Sequence, residues 1–321
     1  VWIEYARRGS SIGKGDGITA SSCGAGSACR ALCEAISDGP TPLEGQGPMT
    51  GPERRGPSQP PTQPGSPDRF GFEWDTYSEL RQEHEEQFLR WTAHFSPAAW
   101  AGKSFLDVGC GMGRNSYWPL RYGAARGVAV DIDSRSIAAA RHTLREFPQA
   151  EVALASAYEL PYRDEFDIVF SIGVIHHLAD PPRALANMVR AAKPGGVVLI
   201  WVYGLENNEW IVRFISPVRE RVLSPLPIRL LHLLSLPLGL GLWTAFRLGL
   251  GRTEYSAFFS RLSLRNAQSI VFDQLLPATA NYWPRATVHE LLVDAGLDDV
   301  VLRWVNQNSW SAIGRKAAGP E

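Results

Sequence analysis

The chain has 321 residues, 45% of them hydrophobic, and a formal net charge of −1. That length holds one large domain, or a domain with an appendage. The near-neutral charge gives no bulk attraction to polyanions, so no nucleic-acid partner is expected. Four cysteines in so long a chain are no disulfide framework. Cys23, Cys29 and Cys33 have no nearby histidine and make a poor zinc set. The start lacks a basic region followed by an apolar core, so cytoplasmic placement is the default expectation.

Residues 1–69 are rich in Gly, Pro and Ser with little apolar periodicity. They read as a disordered or non-native tail. Met49 is a candidate natural start, with residues 1–48 then coming from upstream sequence. Order is expected over 70–316, followed by a short tail, 317–321. Tyr77 to Phe95 carries Leu80, Phe88, Leu89 and Trp91 at helical spacing among Glu and Arg. Strand and helix patterns then alternate: strands at Ser104–Val108, Gly127–Val130, Val152–Ala155, Phe166–Ser171 and Gly196–Val202. Helices are expected at 114–122, Ser134–Phe147 and Pro181–Ala192, the last with proline in its first turn. The strand runs are apolar without alternation, as strands covered on both faces should be. The expected fold is α/β, a doubly wound, mostly parallel, seven-stranded sheet. A helix at Thr287–Ala295 and an antiparallel hairpin, Val300–Val305 with Ser309–Ile313, are expected to close its edge.

Residues 205–264 interrupt the alternation as a helix-rich insertion after strand five. Between Arg229 and Arg247 no side chain is fully charged if His232 is neutral. The run falls just short of the ~18–20 apolar residues of a membrane span, and Pro237, Gly239 and Gly241 interrupt it. Three readings stay open: a lid over an acceptor pocket, a surface helix resting on a membrane or gripping a lipid-like ligand through 226–250, or an oligomer interface. Oligomeric state itself is not legible.

The densest chemical signal is Asp107-Val108-Gly109-Cys110-Gly111-Met112-Gly113, an acid at a strand end followed by alternate glycines and a helix. Such glycines let backbone approach a ligand closely, and the helix start beyond can face an anionic group. A dinucleotide loop would space its glycines 2 and 3 apart; here the spacing is 2 and 2. Asp131 ends strand two, where a carboxylate can accept from two vicinal ribose hydroxyls. Asp133 suits a helix cap before Ser134. After strand three comes Ala155-Ser156-Ala157-Tyr158-Glu159-Leu160-Pro161. After strand four come Ile172-Gly173-Val174-Ile175-His176-His177-Leu178 and then Lys193-Pro194-Gly195-Gly196. Asp180-Pro181-Pro182 lies beyond the strand end, inside a helix start, and reads as a cap.

In this order the motifs resemble those of the class I S-adenosylmethionine (SAM) dependent methyltransferases, well over 105–202 and more loosely to 313. The resemblance implies SAM as cofactor. It places Asp107, Gly109, Gly111, Gly113, Asn115, Asp131, Ile132, Ser156, Ala157, Ser171 and Ile172 around that cofactor. Ser156 departs from the acid usual at its position, and a hydroxyl accepts more weakly than a carboxylate. His176 and His177 are candidates for the catalytic base, or else lining that packs over SAM. Trp74 and Tyr77, with Tyr203, Asp273, Tyr282 and Trp283, are candidates for the acceptor pocket, each with packing as the alternative. The implied function is methyl transfer to an oxygen or carbon of a small-molecule or lipid-like metabolite. A SAM-binding module without catalysis is the rival. No metal is expected, since no acid cluster for a divalent ion is seen.

Overall fold

The structure is a computed structural model that describes residue 80 and residues 83–223, 225–250, 259–261, 263–277 and 279–319. The expected tail 1–69, the Met49 start and the candidates Trp74 and Tyr77 lie outside the described residues. The chain enters through helix α1 (Glu83–Trp91) and a tight turn at Pro97–Trp100. Then follow β1 (Ser104–Val108), α2 (Arg114–Arg121), β2 (Arg126–Asp131), α3 (Ser134–Thr143), β3 (Ala150–Leu154), β4 (Phe166–Ile172), α4 (Pro181–Ala191) and β5 (Ala192–Tyr203). After the insertion, α5 (Ile228–Arg247) and α6 (Leu264–Leu275) precede α7 (Arg285–Asp294), β6 (Leu297–Val305) and β7 (Ser309–Lys316).

The seven strands lie in the order β3-β2-β1-β4-β5-β7-β6. The first five are mutually parallel, and β7 runs antiparallel to both β5 and β6. The doubly wound mixed sheet expected from the sequence is therefore present, with the last hairpin at its edge and β7 as the inner strand. One face buries Phe105, Ile168, Phe170, Leu199 and Trp201 against Phe88, Trp91 and Trp100. The other buries Leu106, Val108, Val169, Val198 and Ile200 against Leu185 and Met188 of α4 and Val288 and Leu292 of α7. Central strands covered on both faces need apolar residues at every position, which explains their unbroken runs.

Several boundaries differ from the sequence pattern, two of them for a visible local reason. β5 begins at Ala192 because Lys193–Gly195 bulge out of the strand while pairing continues. The register against β4 shifts between Phe166 and Ile168, Gly195 takes φ +75°, and Lys193 Nζ donates to Asp167 Oδ1 at 2.9 Å. β6 begins at Leu297, since Asp298-Asp299, a turn-like pair, is absorbed as an irregularity with Asp299 at φ +51°. α3 ends at Thr143, a turn before Phe147.

The insertion starts with a segment of wide helical turns, Ile211–Ile215 and Arg219–Leu223 around a short α-turn at Ser216–Val218. α5 then runs unbroken for 20 residues through Pro237, so the expected interruption does not occur. At 1.5 Å per residue it is about 30 Å long. By length and composition it could cross a membrane, and 17% of its most apolar stretch is buried. A Cβ on Gly239 would lie 3.1 Å from Gln268 Cα, so glycine there lets α5 and α6 approach closely. Leu231, Phe272 and Leu276 form the small core between them. Leu233, Leu238, Leu248 and Leu250 remain exposed.

The sheet also dictates a glycine at position 127 on β2. A Cβ there would fall 2.4 Å from Cζ of Phe105, whose ring is fully buried and has nowhere to swing. Gly127→Ala is expected to destabilise by about 1–3 kcal/mol, read as a lower urea midpoint with unchanged slope. An unaltered midpoint would mean the ring can yield.

Candidate functional site

The carboxyl ends of β1, β2 and β4 converge on the glycine loop. Gly109 N and Cys110 N both donate to Val130 O, at 2.8 and 2.9 Å. This anchors the loop to the end of β2. Gly109, Gly111 and Gly113 all take positive φ, at +79°, +54° and +80°, a region L side chains disfavour. A Cβ on Gly109 would meet Val174 Cγ2 at 2.5 Å. Asp131 Oδ2 accepts from Gly111 N at 3.0 Å, and its Oδ1 from Asp133 N at 2.9 Å. Asp133 caps α3, accepting from Arg135 N at 2.8 Å and Ser136 N at 3.3 Å.

Asp107 is buried at the end of β1. Its Oδ2 accepts from Ser116 Oγ at 2.6 Å, while its Oδ1 has no partner. Burial pushes its carboxyl up to about 7, against the lowering effect of the Ser116 bond. Burial likewise raises Asp131 to about 6. Asn115, in the first turn of α2, leaves its own Oδ1 buried without a partner. Two orphan acceptors thus sit beside a loop already shaped for a close-lying ligand. Ser171 is directed inward: its Oγ donates to Val108 O at 2.7 Å and ties β4 to β1. Ser156 Oγ accepts from Tyr158 N at 3.2 Å in a local turn. Ala157 is half-buried, Ile172 is buried, and Ile132 stands exposed.

A second group gathers where β4 and β5 end. The turn Ile175–His177 follows β4 and buries His176 completely. Neither ring nitrogen of His176 has a hydrogen-bond partner. Its ring lies 4.0 Å from that of Tyr203, 4.1 Å from His177 and 6.2 Å from Trp201. Burial, then the charge effects of His177 and Arg219, hold its pKa well below the usual imidazole value, so the ring is neutral at pH 7. His177 Nδ1 lies 2.7 Å from Thr279 O; a carbonyl only accepts, so this nitrogen carries the proton. Its pKa is lowered to about 4, chiefly by burial and against that bond.

Residues 279–283 run along these strand ends and hold the cluster in place. Asn281 N donates to His176 O at 2.8 Å, and Trp283 N to Tyr203 O at 3.1 Å. Tyr282 is thereby stacked on Tyr203, centroids 5.4 Å apart and 27° between planes. His176, His177, Tyr203 and Tyr282 are brought together. Trp283 is turned away and packs in the core of the opposite sheet face. Asp273 falls in α6, and its side chain lies outside the described set. The sequence reading missed Trp201, Thr279, Asn281 and Arg219. Period-two alternation from Tyr203 back to Trp201 was the one signal that could have found any of them.

The profile of a family described as "Methyltransferase domain" matches residues 106–200, the span holding both clusters but for Trp201, Tyr203 and residues 279–283. A ubiquinone biosynthesis O-methyltransferase of Thiobacillus denitrificans is 33% identical over 157 residues, 48% of this chain and 66% of that protein. A tRNA (carboxymethyluridine(34)-5-O)-methyltransferase of Arabidopsis thaliana is 36% identical over 129 residues, 38% of this chain and 30% of that protein. The chain thus matches between 54% and 66% of the length of the ubiquinone-pathway relatives. A chain from the complex between the Haloferax volcanii Trm112 methyltransferase activator and a methyltransferase shares the fold, at TM-score 0.50 and 16% identity. That match covers 80% of this chain and 99% of the other. Residues 106–200 therefore resemble a methyltransferase domain, on a fold shared with class I SAM-dependent methyltransferases. Family and fold imply SAM as the cofactor, and the orphan acceptors of Asp107 and Asn115 and the glycine cradle fit such a group.

The buried titrating groups act in opposite directions on stability. His94 and His177 are both held near pH 4, chiefly by burial. Below about pH 6.5 the unfolded chain protonates them first, so they withdraw stability as pH falls towards 4. Asp107 and Asp131 take protons first in the folded chain, so they add stability as pH falls through about 7 and about 6. Asp107→Asn removes one opposing group. Its loss of stability between pH 7 and pH 5 should exceed the wild type's by roughly 2 kcal/mol, from urea midpoints at each pH. Parallel profiles would show that Asp107 titrates normally.

Proposed function

We propose that the protein transfers the methyl group of SAM to an oxygen of a small, aromatic or lipid-like acceptor. The observation that carries this reading is His176, a neutral imidazole with both nitrogens unpartnered, set among Tyr203, Trp201 and His177 at the sheet edge. When bound, SAM supplies an electrophilic methyl on a sulfonium, so the protein's task is to position a nucleophile and accept its proton. Asp107 and Asn115 supply free acceptors for the amino-acid end, and Asp131 supplies a carboxylate for the ribose. Ser156 and Ala157 stand where the adenine edge would lie, with Ile132 and Ile172 available to pack on its faces. Tyr203 and Tyr282 offer flat apolar surface for an acceptor ring. On this reading His176 takes the hydroxyl proton, since a neutral imidazole keeps one ring nitrogen as an acceptor.

The ubiquinone-pathway relatives, named as O-methyltransferases, support oxygen over carbon. The near-neutral charge supports a small acceptor over RNA, although one relative is named for tRNA. The exposed leucines of α5 support a lipid-like acceptor, with 226–250 resting on a membrane from the cytoplasmic side. The test is incubation of the full chain with methyl-labelled SAM and host-cell extract, followed by partition between organic and aqueous phases. Label is expected in the organic phase, and His176→Ala should slow its appearance about a hundredfold or more. Label in RNA would replace the acceptor class. Binding of SAM without transfer to any fraction would leave a sensor or scaffold.

A further inference from the structure

Arg219 lies in the wide-turn segment that follows β5, and its side chain is 2% exposed. Its Nη2 donates to Ser216 Oγ at 3.2 Å, and its Nε has no partner. Among the described residues no carboxylate pairs with it. Glu206, the acid just after β5, is already engaged: Oε1 accepts from Arg285 N at 2.9 Å and Oε2 from Trp310 Nε1 at 3.1 Å. The guanidinium is close enough for its charge to depress both His176 and His177. The indole N–H groups of Trp201 and Trp91, whose rings lie 4.8 Å apart, are also buried and unpartnered. Trp201 in turn faces the ring of His176. The edge of the sheet therefore holds a buried guanidinium with Ser216 as its hydrogen-bond partner and an unpartnered Nε, and, around His176, the unpartnered indole of Trp201. A buried cation with no counter-charge costs several kcal/mol, and among the described residues the Ser216 hydroxyl is the group that meets it.

We propose that Arg219 forms an anion subsite in the acceptor pocket, so that the acceptor carries an anionic oxygen group, a carboxylate or a phosphate, besides the hydroxyl that meets His176. The inference rests on the methyl-transfer reading and names the substrate class for it. A guanidinium offers paired donors that match either group. An anion seated at Arg219 would leave the hydroxyl end of the ligand for the unpartnered imidazole.

The test uses the full chain with S-adenosylhomocysteine, at pH 8 and constant ionic strength. Benzoate and phenyl phosphate are the probes, and benzamide is the neutral control. Thermal midpoints are expected to rise with one or both anions and not with benzamide. The anion giving the larger rise identifies the source, carboxylate or phosphate. In Arg219→Met the midpoint without probe should be equal or higher, since an unpaired buried charge is gone. Affinity for the anion should fall about tenfold or more. Arg219→Lys keeps the charge without the fork and should fall between. No anion-specific shift in the wild type would overturn the proposal, as would an equal shift in Arg219→Met. A less stable Arg219→Met with unchanged anion binding would make the residue structural. Calorimetry with S-adenosylhomocysteine alone, run in parallel, separates the two levels. Failure there removes the methyl-transfer reading, whereas anion binding is judged by its own shift.

Discussion

Everything at the carboxyl edge depends on one constraint: the glycine loop is held to the end of β2. Two successive N–H groups converge on the Val130 carbonyl, and Asp131 then catches the N–H of Gly111. This arrangement sends the backbone through three left-handed positions in five residues, a conformation glycine adopts with least strain. The same turn buries Asp107 with one oxygen unsatisfied and opens α2 with Asn115 in the same condition. Both are unfavourable for a folded chain standing alone. They make sense as a site whose remaining hydrogen bonds come from a ligand.

The second cluster has the same physical character. The ring nitrogens of His176, the indoles of Trp91 and Trp201, and the guanidinium of Arg219 are buried without full partners. The segment 279–283 fixes their surroundings through backbone bonds to His176 and Tyr203. The insertion supplies the cation, and the sheet supplies the aromatic walls. The cofactor-facing loop lies in the part of the chain shared with known methyltransferases, whereas Arg219, Tyr203 and Tyr282 lie outside it.

Much of the architecture was legible because buried parallel strands need unbroken apolar runs, and β1, β2, β4 and β5 have them. The glycine loop was legible because three alternate glycines after an acid have few other uses. The boundaries at β5 and β6 were not, because bulges hide turn-like residues inside strands: Pro194-Gly195 in one, Asp298-Asp299 in the other. Arg219 was invisible because an arginine in a helical stretch ordinarily points to solvent. Only tertiary packing reveals that this one does not. Ser171 and Trp283 show the converse. Their positions in the chain suited ligand contact, but one hydroxyl is taken by Val108 and one indole packs into the far face of the sheet. Pro237 misled in its own way, since α5 carries it without a break.

The most direct test of the account is calorimetric titration of the full chain with SAM and, separately, with NAD. The account predicts one SAM per chain, no heat with NAD, and a loss of roughly 1.5–3 kcal/mol of SAM affinity in Asp131→Ala, the worth of charge-assisted hydrogen bonds. Tight NAD binding without SAM binding would contradict it, and an unchanged isotherm in Asp131→Ala would remove that carboxylate from the site.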